Sequence, residues 1–301
     1  MNVFNQTKVV RMSTPNLVGE TQRLSLGGQE VWVLPDIALQ RPASLFAIGG
    51  SDSEIAETVG SAEELLRFSG CPILLRWSDR TILIDAGIGK QDPNVPGMLP
   101  QRLAEIGVRP DEVSDILITH LHADHIGGSF EPATGSLLFP NATYHIAEPE
   151  IAFWKDPDLS HANRLPQAML DFQVRTAQRA LACLPIRSFT FSKELFPGIE
   201  PISSPGHTGG HTAYLLKSDG EQFMIGGDAL HHAVLHVRHP EWTTAGDSHP
   251  SLVHQTRFQL LNRLVDQDIL FRCYHFAAEE IGYIRRDPNG GLRLLKINEM
   301  I

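Results

Sequence analysis

The sequence predicts an α/β domain, and three observations predict it. Apolar runs of strand character alternate with segments of helical periodicity along the chain. No Pro-, Gly- or Ser-rich linker and no break in composition divides it, so residues 1–301 are read as one domain. Hydrophobic residues make up 42% and charged residues 20%, which is enough apolar material for a core and too much for a disordered chain.

Taken in order, residues 1–30 look irregular, an N-terminal extension or arm with Gly27-Gly28 as a turn. Residues 31–34 form a short strand ended by Pro35-Asp36. Residues 54–68 read as a helix with Ile55, Val59, Leu65 and Leu66 on its apolar side. Residues 72–77 and 81–85 are two apolar runs around Ser78-Asp79-Arg80, the pattern of a β-hairpin, and the second delivers Asp85 at its end. A helix follows over 100–107. A strand over 115–119 runs straight into His120. Helices are expected over 147–155 and 165–184, and a strand over 224–228 that ends in an acid. A helix over 251–266 has its start signal in Ser248 and Pro250, and a last strand over 269–274 leads to His275. The segments around Asp85 and Asp228 echo one another, each an acid and an alanine after an apolar strand.

The net charge is −10, which repels a phosphate backbone and argues against nucleic acid as a partner. Cys71, Cys183 and Cys273 are too few and too scattered for a disulfide framework, which fits a reducing cytoplasm. The first residues carry Lys8 and Arg11 without a long apolar run, so neither a secretory leader nor a membrane span is expected there.

The chain carries 14 histidines, and three of them fall with an aspartate inside Thr119-His120-Leu121-His122-Ala123-Asp124-His125-Ile126-Gly127-Gly128. Imidazole and carboxylate are the groups that Zn²⁺ and similar divalent ions accept. A loop at a strand end can turn all four inward, and the two glycines are expected to let the backbone turn away. His207, in the Gly-rich Ser204–His211 loop, is a weak signal alone, as are Asp228 after Gly226-Gly227 and His275 at a strand end.

Their order is informative. His120-x-His122-x-Asp124-His125, then His207, Asp228 and His275, resembles the full metal-ligand series of the metallo-β-lactamase superfamily. The likeness runs from about Ile82 to His275. The long gap between His125 and His207, with the stretch from Asn141 to Trp154, is most similar to the methyl parathion hydrolase-like branch near the N-acyl homoserine lactonases.

The resemblance implies a four-layer αβ/βα sandwich and two divalent ions, Zn²⁺ first and Mn²⁺, Fe²⁺ or Co²⁺ compatible. It implies that His120, His122 and His207 hold one ion, that Asp124, His125 and His275 hold the other, and that Asp228 bridges them. Asp85 matches a buried acid that orients ligands, although an acid there also serves simply to end a strand and cap a turn. Two adjacent cations lower the pKa of a shared water from about 15.7 toward 7, and Asp124 or Asp228 could pass a proton to the leaving group.

The expected activity is hydrolysis of a small ester, a lactone first, with an organophosphate triester as the alternative. A redox metal protein ranks behind both, because this chain has neither the length nor the cysteines for an attached electron-transfer domain. So does a non-catalytic one, because seven intact ligands buried without a metal would destabilise the fold. Trp154 and Phe276 are placed for an apolar substrate wall, the bland reading being core. His231, His232, His236 and His239 read as polar residues of a loop near the site. After His275 the chain reads Phe276-Ala277-Ala278, and Thr208 follows His207. Relatives there favour proline, so the substrate does not transfer with the ligands. A homodimer is expected only by analogy.

Overall fold

The computed structural model describes residues 18–300, and the segment with Lys8 and Arg11 lies outside the described residues. Strands β1 (Gln22–Leu26) and β2 (Gln29–Val33) form a hairpin at one edge of a seven-stranded sheet. The sheet continues through β5 (Ile73–Trp77), β6 (Arg80–Ile84), β7 (Asp115–Leu117), β8 (Thr143–Ala147) and β9 (Ile186–Phe189). A six-stranded sheet follows in chain order: β10 (Ile199–Ser203), β11 (Thr212–Ser218), β12 (Glu221–Ile225), β13 (Leu270–Arg272), β14 (Gly282–Arg286) and β15 (Leu292–Lys296). Residues 22–30 therefore belong to the sheet and not to an irregular arm. Their alternation of half-buried and exposed positions is that of an edge strand, too weakly apolar to stand out in sequence.

The period of two along each strand builds the layers. Ile73, Leu75, Ile82, Ile84 and Leu117 point from the first sheet toward Ile199, Tyr214, Leu216, Phe223 and Ile225 of the second. The intervening Leu74, Leu83 and Ile116 face outward and pack under the helices of their own side. Those helices include α2 (Leu99–Glu105), α4 (Glu148–Lys155) and α5 (Gln167–Cys183). On the other side Ala213, Leu215 and Met224 pack with Leu260, Leu261 and Leu264 of α7 (Pro250–Asp266). The order helix, sheet, sheet, helix is the four-layer sandwich the sequence led us to expect.

Helix α1 (Asp52–Val59) starts on Ser51, whose hydroxyl accepts from the Glu54 amide in a capping box. It ends at Gly60, with φ of 103°. The expected helix over 54–68 is thus cut short. Leu65–Gly70 forms β4, paired antiparallel with β3 (Ile37–Pro42) in a separate two-stranded ribbon. Short apolar runs are the place where helix and strand look alike in sequence. Helix α7 begins with Pro250 in its first turn as expected, but its N-cap is His249, not Ser248.

Strand β6 pairs parallel with β7, β7 with β8, and β12 with β13, so their carboxyl ends share the edge of the sandwich where loops can converge. Asp85 and Asp228 occupy matching places, each after a hairpin and before a parallel crossover. Among the described residues no helix is long and apolar enough to cross a membrane.

Candidate metal centre

The loop after β7 carries His120, His122, Asp124 and His125, the last two in the single turn α3 (Ala123–Ile126). The loop between β10 and β11 carries His207, and Asp228 and His275 follow β12 and β13. All seven sequence candidates converge. His120, His122, His207 and Asp228 form one group and Asp124, His125 and His275 another, with the donor atoms in each within 4.8 Å of one another.

Asp228 stands between the groups. Its Oδ2 is 3.2 Å from His207 Nε2, 3.7 Å from His120 Nε2 and 3.0 Å from His275 Nε2, while Oδ1 is 3.3 Å from His125 Nε2. His122 faces the centre through Nδ1, 2.9 Å from His120 Nε2 and 3.0 Å from His207 Nε2.

The outer ring nitrogens are spoken for, which sets the tautomers. His125 Nδ1–H donates to Asp85 Oδ2 at 2.8 Å, His207 Nδ1–H to Asp247 Oδ1 at 2.8 Å, and His275 Nδ1–H to the Ser69 carbonyl. The Thr119 hydroxyl donates to Asp85 and lies 3.1 Å from His120 Nδ1, from which it accepts. With an ion bound, each of these four imidazoles would therefore turn an unprotonated Nε2 toward the centre. Two buried atoms there, His125 Nε2 and Asp228 Oδ1, have no hydrogen-bond partner among the described residues. Buried lone pairs aimed at one another are costly unless a cation lies between them. The donor set thus fits divalent ions.

Without an ion, burial pushes the His120 and His122 imidazoles well below their usual range. Burial also acts against a charged His207, but its hydrogen bonds to Asp228 and Asp247 outweigh it and lift the group to about 9. His211 is held neutral, pushed down to about 3 chiefly by burial. Its Nδ1–H donates to the Ser204 carbonyl and its Nε2 accepts from the Asp228 amide at 2.9 Å, so it positions the Asp228 backbone.

Gly127 and Gly128 serve close approach and not an unusual turn. Gly127 has φ of −63°, and a Cβ on Gly128 would lie 1.9 Å from the Ala86 carbonyl oxygen. That contact seats the ligand loop on the end of β6.

A pocket opens over the centre. His122, Asp124, His207, Asp228 and His275 are at its floor. It is also lined by Ile37, Leu39, Phe46 and Phe68 and by Leu159, Leu165, Met169 and Leu170. Trp154 and Phe276 do not line it. They are 0% and 1% exposed and lie in the cores behind the two sheets. Trp154 touches the site only through His122, against which its indole packs edge-on, and Phe276 packs into the core behind the second sheet. The lining comes instead from β3 and the turn after it, from β4, and from the start of α5 with the segment leading into it.

His231 is the residue that sequence spacing passed over. It is buried, lines the pocket, and places Nε2 3.2 Å from Asp228 Oδ2. Its ring stacks on His275 at 5.1 Å. The turn that carries it is held by His236, whose Nδ1 accepts from the amides of His231 and His232. Only its place three residues after Asp228 hinted at this. Asp247 lies 40 residues beyond His207, and nothing in the sequence ties the two together.

The fold and this histidine–aspartate cluster together define a known class: the chain belongs to the metallo-beta-lactamase superfamily, whose family model matches residues 72–268. Among curated proteins it is similar to a probable metallo-hydrolase of Mycobacterium tuberculosis, 24% identical over 233 residues, covering 67% of this chain and 73% of that protein. It is also similar to the N-acyl homoserine lactonase AiiB of Agrobacterium fabrum, 31% identical over 86 residues, which cover 29% of this chain and 28% of the relative. Among solved structures it is similar to AidC, described as a dizinc quorum-quenching lactonase in complex with a product. The TM-score is 0.82 at 24% identity, over 92% of this chain and 97% of that one. The hydrolase AbOPH gives the same TM-score of 0.82 and 24% identity, over 93% and 98%.

Proposed function

We propose that this metal-dependent hydrolase opens the cyclic ester of acyl lactones, with the described residues working as one domain around one site. The observation that carries the reading is the placing of the ligand candidates at the floor of an otherwise largely apolar pocket. An acyl lactone joins a hydrolysable polar ring to an apolar tail, and such a pocket orients both ends. The lactonases among the relatives and structural neighbours support the same direction.

In this reading His120, His122 and His207 hold one ion, Asp124, His125 and His275 hold the other, and Asp228 serves both. Zn²⁺ is the proposed metal, and Mn²⁺, Fe²⁺ and Co²⁺ accept the same donors. When bound, the pair supplies a water of lowered pKa and a Lewis acid for the carbonyl.

The chain's own residues do the rest. Asp85 and Asp247 hold His125 and His207 in the ligating tautomer. The apolar walls keep bulk water from the acyl chain. Asp228, with a side chain 3% exposed, is hemmed in by imidazoles, whereas Asp124 is 17% exposed and faces the pocket. Asp124 is therefore the carboxylate that can take a proton from the attacking water and pass it to the departing alkoxide oxygen.

The test is a comparison of kcat/KM for acyl lactones and aryl phosphotriesters on metal-replete protein, with a chelated control. Lactones ahead by tenfold, about 1.4 kcal/mol in the barrier, is the expected outcome. Phosphotriesters ahead would overturn the lactone assignment and leave the hydrolase.

A further inference from the structure

Seven ligand candidates arrive on loops from two different sheets, and something must hold those loops in register. Glu150 occupies that position. It is the third residue of α4, 1% exposed, and belongs to neither group of ligand candidates. Its Oε1 accepts from the Leu121 amide at 2.9 Å and from Trp154 Nε1 at 2.7 Å. Its Oε2 accepts from the Thr208 hydroxyl at 2.6 Å and from the Gly210 amide at 3.0 Å.

Leu121 lies between His120 and His122 on the loop from the first sheet. Thr208 and Gly210 follow His207 on the loop from the second. The Trp154 indole held by Oε1 packs edge-on against His122, with ring centroids 5.4 Å apart. Gly210 sits directly on the start of α4, where a Cβ would come within 1.9 Å of the Glu150 nitrogen.

We propose that Glu150 is a positioning residue that clamps the His120–His122 loop to the His207 loop and so sets the geometry of the three-histidine group. The clamp rests on the metal reading above.

The chemistry requires a carboxylate. An ionised carboxyl offers about four acceptor sites, and all four are taken by donors. A glutamine in its place has one oxygen, which serves only one pair of donors. Its amide nitrogen must face the other pair. Facing Leu121 and Trp154 it would orphan two N–H groups. Facing Thr208 and Gly210 it orphans only one, because the hydroxyl can rotate and accept. The second arrangement costs less, so Glu150→Gln releases the His207 loop and leaves the His120–His122 loop in place. Among the described residues Asp124, His125 and His275 exchange no hydrogen bond with the Glu150 carboxylate, so they are not released.

The clamp therefore has a signature that general destabilisation lacks, namely selective weakening of one of two ions. Metal-free protein titrated with Zn²⁺ against a chromogenic chelator gives two stepwise affinities. Glu150→Gln should lower one of them by about 10- to 100-fold, the usual range for an outer-shell partner, and leave the other within a factor of about three. Amide exchange at Gly210 should quicken in the same variant. Thr208→Val removes one donor without touching α4 and should weaken the same ion to a smaller degree, while Thr208→Ser, which keeps the hydroxyl, should restore it. Unchanged affinities in Glu150→Gln would overturn the clamp, as would an equal fall in both. If wild-type protein itself takes up no Zn²⁺, the metal reading fails and the clamp with it, a result distinct from either.

Discussion

Asp85 and His125 face each other across the end of the first sheet, Oδ2 to Nδ1 at 2.8 Å, both side chains buried. The Asp85 backbone has φ of 61°, in the left-handed region that aspartate tolerates better than most residues. That conformation ends β6 and swings the carboxylate over β7, where Oδ1 also accepts from the Thr119 amide. In the proposed centre the acid orients a ligand and does not only end a strand.

Asp85→Asn tests this pair with little disturbance, because asparagine also accepts the left-handed backbone and keeps an oxygen for Thr119. Its amide then presents N–H to His125 Nδ1 and drives the proton to Nε2, where it blocks ligation. The expected result is a folded protein whose Zn²⁺ affinity falls about 10- to 100-fold. Wild-type affinity, read by the same chelator competition, would show that Asp85 does not set the tautomer.

Asp247 joins two buried partners. It accepts from His207 Nδ1 and from the Thr244 amide, and its Oδ2 is 3.5 Å from the guanidinium of Arg257, with both side chains 0% exposed. Asp247→Ala would leave a buried cation without its counter-charge. A loss of about 3–5 kcal/mol is expected in urea unfolding. A change under about 1 kcal/mol, within the range of a surface substitution, would mean that the pair is not a structural charge pair.

Stripping the metals should lower the melting temperature by several degrees and abolish activity, with both restored by Zn²⁺, because ligands bound only by the folded state stabilise it. His122→Ala and Asp228→Ala should lose most of this shift along with metal content. Full activity and full metal content in either variant would sink the ligand assignment.

Asp36 supplies a pH dependence away from the centre. It is fully buried, and burial raises its carboxyl to about 6 against the backbone donors Ile88 and Leu99. The folded state thus holds the proton more tightly than the unfolded chain. Its contribution is full below pH 3.8 and is lost as pH rises through about 6. Asp36→Asn removes the titration. The unfolding free energy of wild type minus that of the variant should fall by up to about 3 kcal/mol between pH 4 and 7. A flat difference would show that Asp36 does not titrate in that window.

Much of the first sheet was legible. The apolar runs around residues 73–84 and 115–117 have the length and boundaries of buried strands. The second sheet was legible only at β12 and β13, the strands that deliver acids or histidines. β14 reads Gly-Tyr-Ile-Arg-Arg and β15 Leu-Arg-Leu-Leu-Lys, short runs that mix basic and apolar residues without a clear period, and they do not announce themselves. The helix over 54–68 failed at Gly60, which was a stop signal in plain view. The series of candidate ligands was legible because metal chemistry restricts residue type and order. The wall of the pocket was not. Trp154 and Phe276 lie near ligands in the chain, and the residues that form the wall do not.

By itself the sequence determined the inventory: an α/β chain, seven nitrogen and oxygen donors in a recognisable order, and the acid at position 85. Metal ligation tolerates few residue types, and a strand end followed by a loop is local, so both leave marks in sequence. The tertiary structure alone decided that Asp247 would meet His207, that His231 would join Asp228, and that Glu150 would span two loops. Apart from the short step from Asp228 to His231, those contacts join residues 29 to 60 positions apart, from Glu150 with Leu121 to Glu150 with Gly210. Their partners are common polar residues whose roles exist only once the two sheets are packed face to face.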